Sequence, residues 1–279
     1  MMIYNFHTHS YYDDGREPLE DYVKSAIDKG MTAIGFSGHA PLPFYSEWSI
    51  EQKNYPDYLA EVHRLKEQYK GRIDIYLGLE TDYIPGFVED IQPMIEEGPL
   101  DYVVGSVHLV IKPGGKTTDD IWFIDGPREG YIRGLQDVFG GDARAATEAY
   151  FNQQTAMVNN QRPNIIGHLD KVNMHNHGEL FDPEEEWYGK AVDRLLDAIA
   201  KQGTIVELNT RGVYRGKTEN YFPETAILRK CLQREIPVMV NTDAHHPSQL
   251  DEHFDLAVKH LKAIGYNKMT TPFFEVPLA

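Results

Sequence analysis

The sequence contains a single cysteine, Cys231, among 279 residues. One cysteine cannot form an internal disulfide, which is typical of proteins that fold in a reducing compartment. It lies in an amphipathic stretch, TAILRKCLQRE, so we predict a buried structural thiol rather than a nucleophile. The sequence also lacks a hydrophobic run long enough to cross a membrane, and its first residues do not resemble a signal peptide. These absences predict a cytoplasmic protein without a membrane partner.

Basic residues are scarce as well, since 27 Lys and Arg stand against 43 Asp and Glu, for a net charge of −16. Because nucleic acids require a basic surface, we do not expect a nucleic-acid partner. A small phosphorylated substrate remains possible, because bound cations can reverse the local field. No G-x-G-x-x-G follows a candidate strand and no G-x-S-x-G occurs, which argues against dinucleotide binding and serine-based acyl transfer. The sequence leaves the oligomeric state open.

Short apolar runs alternate with longer amphipathic stretches along the chain. We predict strands at residues 2–7, 32–39, 73–80, 101–108, 164–170, 204–209 and 237–244. Helices are predicted at residues 19–29, 52–69, 85–97, 142–161, 183–202, 223–234 and 248–264. This alternation implies parallel strands with right-handed crossovers. We therefore predict one α/β domain over residues 1–279, a distorted TIM-barrel-like (β/α) barrel of seven units, with an open doubly wound sheet as the alternative.

Most of the predicted strands end in a residue type that binds metals. These residues are His7, His9, His39, Glu80, His108, His168, Asp243 and His245, whereas the sixth strand ends in Asn209. In parallel barrels the active site forms at the C-terminal ends of the strands. Residues two apart on a strand point the same way, so His7 and His9 can share one pocket, as can Asp243 and His245.

Taken singly, a histidine at a strand end is more often a polar surface residue than a ligand. The joint pattern favours metals, because a buried cluster of unpaired imidazoles and carboxylates would be costly without them. Imidazole and carboxylate without thiolate suit Zn, Fe or Mn better than Ca or Mg. Roughly eight ligands would hold two or three ions. The residues therefore predict a multinuclear metal-dependent hydrolase, with a phosphoester as the expected substrate.

Several motifs resemble those of the polymerase and histidinol phosphatase (PHP) superfamily. They are HTHSYYDDG, SGHAPLP, GLETDYI, VGSVH, IGHLDKVN and NTDAHHP, in this order across essentially the whole chain. Residues 122–151 and the segment LNTRGVYRG further resemble the histidinol-phosphatase branch. No polymerase module accompanies them, so the resemblance implies a stand-alone enzyme that hydrolyses L-histidinol phosphate in histidine biosynthesis.

The resemblance also implies a trinuclear site in which Asp14 joins the ligands named above. The first ion would be bound by His7, His9, Glu80 and Asp243, the second by Glu80, His108 and His168, and the third by Asp14, His39 and His245. Catalytic roles are implied for Glu80, which would bridge two ions, for Asp243, which could protonate the leaving group, and for His245.

The expected substrate contacts depart from the family pattern at one point. The family often shows Ser-Gly after the Asn-Thr of the sixth strand, whereas this chain has Asn209-Thr210-Arg211-Gly212. Arg211 and Arg215 are both candidates for the phosphate contact, because a planar guanidinium suits phosphate. Asn209 is a further candidate for a substrate contact.

The stretch 112–141 is predicted to be a long irregular loop, and loops of this length are usually functional. We expect it to cover the mouth of the barrel as an aromatic and charged lid. The residues expected to take part are Trp122, Phe123, Arg128, Tyr131 and Arg133, with Asp119, Asp120 or Asp125 facing a substrate amine.

Three alternatives stay open from the residues alone. The first is a phosphatase acting on another phosphomonoester, such as a phosphotyrosine protein or a nucleotide. The second is a metal-dependent amidohydrolase, whose sites usually include a bridging lysine, for which Lys171 is the nearest candidate. The third is a non-catalytic module, which would be expected to have lost ligands.

Overall fold

The computed structural model describes residues 3–278. The strands are β1 (Tyr4–Asn5), β2 (Ala33–Phe36), β3 (Asp74–Asp82), β4 (Tyr102–Ser106), β5 (Leu109–Ile111), β6 (Ile121–Phe123), β7 (Ile165–Ile166), β8 (Ile205–Asn209), β9 (Val238–Asn241), β10 (Lys268–Thr270) and β11 (Glu275–Pro277). The α-helices are α1 (Leu19–Asp28), α2 (Tyr55–Gln68), α3 (Gln92–Glu97), α4 (Arg128–Phe139), α5 (Ala143–Asn160), α6 (Glu186–Gln202), α7 (Arg211–Tyr214), α8 (Thr225–Gln233) and α9 (Phe254–Ile264). Within residues 3–278, no helix combines the length and apolarity needed to span a membrane.

The main sheet has seven strands in the order β1-β2-β3-β4-β7-β8-β9. Every neighbouring pair in it is parallel. The first and last strands meet through backbone hydrogen bonds, since His9 N donates to Ala244 O at 2.9 Å and Ala244 N donates to His7 O at 3.0 Å. The predicted seven-unit (β/α) barrel is therefore confirmed, and the open-sheet alternative is wrong. That residues 1–279 are a single domain stays a prediction.

Most residues of the barrel strands are buried, because helices cover the outside and side chains fill the inside. On the outside, α6 buries Trp187, Val192, Leu195 and Ile199 at helical spacing, as the sequence predicts. Full burial of such a side chain contributes roughly 1.5–3 kcal/mol.

Tyr102 fills the barrel interior beneath the strand ends. Its hydroxyl donates to the backbone oxygen of Phe6 on the far side of β2 and β3, at 2.8 Å. Two glycines make room for the ring, because a Cβ at Gly35 or Gly78 would lie 2.5 Å from an atom of the Tyr102 side chain. Any larger residue at these positions would displace the ring that supports the end of β1.

Several predicted helices begin at a different residue in the structure. The helix predicted at 85–97 begins only at Gln92, because Ile84 and Val88 form an antiparallel bridge in a turn. The helix predicted at 248–264 begins at Phe254, after a separate 3-10 turn at Pro247–Gln249. The strand predicted at 2–7 includes Met2, which lies outside the described residues.

The prediction of a long irregular loop at residues 112–141 is wrong. The apolar run of β6 pairs antiparallel with β5, with Val110 opposite Trp122, and the stretch ends in α4. Trp122 and Tyr131 are each 1% exposed and belong to the core. A sequence window cannot reveal this pairing, because the partner strand is itself only three residues long.

Candidate metal centre

The nine predicted ligands lie together at the C-terminal end of the barrel. His7 and His9 follow β1, Glu80 lies within β3, and the others follow their strands in the same way. For eight of the nine residues, at most 9% of the surface of the whole residue is exposed. The exception is Asp14, which lies in the loop after β1 and whose side chain is 35% exposed. The barrel topology thus brings to one place residues that are far apart in sequence.

The ligand atoms form overlapping groups in which all atoms lie within 4.8 Å of one another. The groups are His9, Asp14, His39 and His245; His7, His9 and Asp243; His7, Glu80 and His168; and His39, Glu80 and His108. Glu80 lies at the centre, with Oε2 at 3.2 Å from His7 Nε2 and Oε1 at 3.1 Å from His168 Nε2. The three-ion partition implied by the family resemblance stays a prediction.

The residues fit divalent metal ions. Buried ligand atoms without a hydrogen-bond partner among the described residues are His7 Nε2, His9 Nε2, His39 Nδ1, Glu80 Oε2, His168 Nδ1 and Asp243 Oδ1. Each such atom costs roughly 1–3 kcal/mol when it is left unsatisfied in a protein interior. Divalent cations satisfy these atoms, and a set of imidazoles and carboxylates suits Zn, Fe or Mn.

The pKa shifts of Glu80 and His39 suit metal binding, whereas the pKa values of His7 and His9 are raised because neighbouring carboxylates outweigh the effect of burial. Burial on its own raises the pKa of Glu80, but the imidazoles of His7 and His39 outweigh it and hold that pKa well below its usual range. Burial holds the pKa of His39 well below its usual value, despite the opposing charge of Glu80. An ionised carboxylate and a neutral imidazole are the forms that coordinate metals.

Three carboxylates that sequence reasoning missed lie behind the ligand histidines. The pairs are Glu207 Oε1 with His7 Nδ1 at 2.6 Å, Asp13 Oδ2 with His9 Nδ1 at 2.6 Å, and Asp82 Oδ2 with His108 Nδ1 at 3.0 Å. A carboxylate in this position fixes the orientation of the imidazole and raises its basicity. The one available sequence signal was a charged residue inside an apolar strand, as at Glu207 in TIVELN.

Glu207 organises the base of the cluster. Besides His7, it accepts hydrogen bonds from His168 N at 2.9 Å and from Asn209 Nδ2 and Asn241 Nδ2, each at 3.0 Å. Asn209 also donates to Asp243 Oδ2 at 3.2 Å. The structure therefore places Asn209 beneath the ligands, where it positions carboxylates, and a contact with substrate stays a prediction.

A cavity of about 230 Å³ opens above the ligands. The residues that line it besides the ligands are Trp48, Phe123, Asp125, Gly126, Lys171, Arg211 and Lys217. The Trp48 and Phe123 rings are nearly parallel, with centroids 6.0 Å apart, and form its aromatic wall. Arg211 is anchored by a hydrogen bond from Nη1 to Asp243 O at 2.9 Å. Arg215 is exposed and is not part of the cavity wall.

The prediction that residues 112–141 form a lid over the mouth of the barrel is mostly wrong. Of the residues assigned to it, Phe123 and Asp125 reach the cavity. Arg128 instead forms an ion pair with Glu179 at the surface. Asp120 caps a 3-10 turn and pairs with Lys112. The stretch therefore contributes a short edge of the cavity rather than a cover over it.

Lys171 forms an ion pair with Asp125, which is not one of the nine predicted ligands. Its Nζ lies 2.6 Å from Asp125 Oδ2. Burial on its own lowers the pKa of Lys171, but the Asp125 carboxylate outweighs it and keeps that pKa above its ordinary value. A protonated, ion-paired lysine is not a metal bridge, so the feature that would favour an amidohydrolase is missing from this part of the site.

The fold and the site define a closed parallel barrel with a buried cluster of imidazoles and carboxylates, suited to divalent metals, at its C-terminal strand ends. The PHP domain model matches residues 5–211. The chain belongs to the PHP domain family, which confirms the resemblance seen in its motifs.

Curated relatives match over nearly the whole chain. A probable histidinol-phosphatase of Deinococcus radiodurans is 29% identical over 253 residues, which cover 90% of this chain and 88% of that protein. The histidinol-phosphatase of Lactococcus lactis subsp. lactis is 27% identical over 270 residues, which cover 96% and 93%.

Solved structures share the fold. A histidinol phosphate phosphatase from Lactococcus lactis, solved in complex with Zn, L-histidinol and phosphate, has a TM-score of 0.72 at 22% identity and covers 98% of both chains. A histidinol phosphatase structure from Listeria monocytogenes has a TM-score of 0.78 at 20% identity, covering 91% of this chain and 99% of that one.

Proposed function

We propose that this protein hydrolyses L-histidinol phosphate to L-histidinol and phosphate. The observation that carries the proposal is the cluster of nine ligand-type residues at one end of the barrel, seven of which line the cavity, with six buried ligand atoms that have no hydrogen-bond partner among the described residues. The relatives named histidinol-phosphatase, which match from end to end, support this choice of substrate. The lone buried thiol of Cys231 is consistent with the proposed cytoplasmic location.

We infer two or three divalent ions, Zn, Fe or Mn, in the cluster. The first would be held by His7, His9, Glu80 and Asp243, the second by Glu80, His108 and His168, and the third by Asp14, His39 and His245. When bound, such ions supply a water of lowered pKa and neutralise charge on the phosphoryl oxygens.

Side chains of the cavity would transfer the proton and bind the phosphate. Asp243 lines the cavity, and it or an adjacent residue would pass a proton from the attacking water to the leaving oxygen. Arg211 lines the cavity and is held by Asp243 O and by the Tyr214 hydroxyl, so its guanidinium is positioned for phosphate oxygens. Because Arg215 lies outside the cavity wall, Arg211 is the arginine that we propose as the phosphate contact.

The aromatic wall of the cavity suits the other end of the substrate. Trp48 and Phe123 offer parallel ring faces beside the ligands, and Phe123 is 38% exposed, so it is available for contact. A flat imidazole ring gains from contact with aromatic faces, whereas the phosphate requires the ions and Arg211. The cavity thus has one end for each part of histidinol phosphate.

Steady-state kinetics on the metal-loaded protein test the proposal. We expect kcat/KM for L-histidinol phosphate to exceed that for p-nitrophenyl phosphate by about 100-fold or more, because remote binding energy is used in the transition state. Phosphotyrosine peptides and nucleoside monophosphates serve as comparison substrates. Equal efficiency on all of them, or a preference for one of the comparison substrates, would contradict the assignment to histidinol phosphate and leave a general metallophosphatase.

A further inference from the structure

One cationic side chain at the cavity has no role in the function proposed so far. Lys171 is only 7% exposed, and its Nζ lies 2.6 Å from Asp125 Oδ2. Lys217 Nζ lies 3.5 Å from the other oxygen of the same carboxylate. Both lysines and Asp125 line the cavity together with the ligands. The cavity wall therefore contains an ion pair between a buried lysine and a partly exposed carboxylate, and neither residue is one of the nine predicted ligands.

The backbone holds both partners of this pair in place. Lys171 begins a 3-10 turn, and its N donates to His168 O at 2.8 Å, so its position is tied to that of a ligand. Asp125 follows β6, and its Oδ1 accepts a hydrogen bond from Gly126 N at 2.6 Å. The ammonium group is thus held by an ion pair between two segments whose backbones are hydrogen-bonded.

The charge of Lys171 is kept in a buried position because the carboxylate of Asp125 compensates it. Burying an ammonium group is expensive even when it is paired. Divalent ions in the neighbouring cluster would add repulsion, unless an anion lies between them and the lysine. Arg211 and Lys217 line the same cavity of about 230 Å³, so three cationic side chains and four carboxylates surround it, and two or three divalent ions on the carboxylates would leave an excess of positive charge. An anion with several oxygens satisfies this arrangement.

We propose that Lys171 is a catalytic residue that binds a phosphoryl oxygen of the substrate through its Nζ. Asp125 holds the ammonium group in the cavity and is a positioning residue. The proposal rests on the proposed function only in taking a phosphomonoester as the substrate. A charge-assisted hydrogen bond of this kind stabilises the bound phosphate and the charge that develops on it during hydrolysis.

Phosphate binding to the metal-loaded full chain tests the proposal directly. Isothermal titration calorimetry with inorganic phosphate compares the wild type with Lys171→Met and with the control Lys190→Met, whose lysine side chain is 65% exposed on α6. We expect Lys171→Met to weaken phosphate binding about 10- to 100-fold, as loss of a charged hydrogen bond does, while the control stays at the wild-type affinity. Elemental analysis should give the same metal content for all three. Wild-type affinity in Lys171→Met with its metals retained would overturn the proposal.

A second variant covers the case in which Lys171→Met loses its metals or does not fold because the negative charge of Asp125 is no longer balanced by the Lys171 ammonium group. The double variant Lys171→Met/Asp125→Asn removes both charges and should show the same weakened phosphate binding. Normal affinity in it, or loss of metal from both variants, would overturn the proposal by assigning Lys171 to the structure of the site.

Kinetics separate this proposal from the choice of substrate. Lys171→Met should lower kcat/KM by the same factor for L-histidinol phosphate and for p-nitrophenyl phosphate, because the two share only the phosphoryl group. A loss confined to histidinol phosphate would overturn the phosphoryl contact. If the wild type fails to prefer histidinol phosphate but phosphate binding still depends on Lys171, the proposed substrate is wrong and the role of Lys171 stands.

Discussion

The floor and the rim of the cavity are built in different ways. The floor, formed by His7, His9, Glu80, Asp243 and the carboxylate behind them at Glu207, comes from strands and their first following residues and is almost fully buried. The rim comes from loops, short helices and the end of the short strand β6, and it is partly exposed at Phe123 and Arg211; its residues are Trp48, Phe123, Asp125, Lys171 and Arg211.

The difference matches the tasks of the two regions. Ions demand ligand atoms at fixed distances, and a barrel end with hydrogen-bonded ligands supplies that rigidity. Recognition of a substrate needs groups that reach over the ions, and such groups are most often carried by loops on a rigid scaffold. Changes in the floor should therefore remove metal and turnover together, whereas changes in the rim should spare the metal.

The largest effect is expected from Glu80→Ala. The carboxylate lies within 3.2 Å of His7 Nε2 and at 3.0 Å from His39 Nδ1, so its loss leaves several ligands without their shared partner. We expect loss of one ion by elemental analysis and a fall in kcat of about 1000-fold or more. Glu67→Ala, at a side chain 80% exposed, is the matched control. A folded Glu80→Ala protein with near-normal turnover would refute the bridging role.

An intermediate effect is expected from Glu207→Gln, which keeps the shape of the side chain but removes the charge behind His7. Loss of such an outer carboxylate typically costs about 10- to 100-fold in metal affinity. Competition with a chelator of known affinity measures this, and excess metal should restore most of the activity. If the metal affinity of Glu207→Gln is unchanged while its kcat falls, Glu207 acts on the chemistry directly. The proposed separation of metal binding in the floor from substrate binding in the rim would then be wrong.

The smallest effect is expected from Arg211→Lys, a change in the rim. The positive charge remains, but the planar fork that suits phosphate is lost. We expect KM to rise about tenfold with a smaller change in kcat, because the contact serves binding of the phosphate. The metal content should match that of the wild type. Loss of metal would show that the link from Arg211 Nη1 to Asp243 O supports the floor after all.

The sequence by itself determined the barrel, and it predicted ligand residues whose side chains the structure brings together. The parallel strands of a closed barrel all have their C-terminal ends on the same side. Histidines and carboxylates at these strand ends therefore lie close together, regardless of the conformation of the loops. His7 and His9 could be assigned to one pocket because side chains two residues apart on a strand share a face. The apolar positions of α6 were equally visible, because helical spacing is a local property of the chain.

Only the tertiary structure decided how the ligands are supported and what surrounds them. Glu207 meets His7 across 200 positions of the chain, and Lys171 meets Asp125 across two different loops. Such pairs depend on the distances between side chains of separate elements, and no local pattern encodes them. The β5 and β6 pairing likewise converts a stretch that looks irregular into part of the core. Local periodicity thus specifies the elements and their ends, whereas the partners of each buried charge emerge only when those elements pack together.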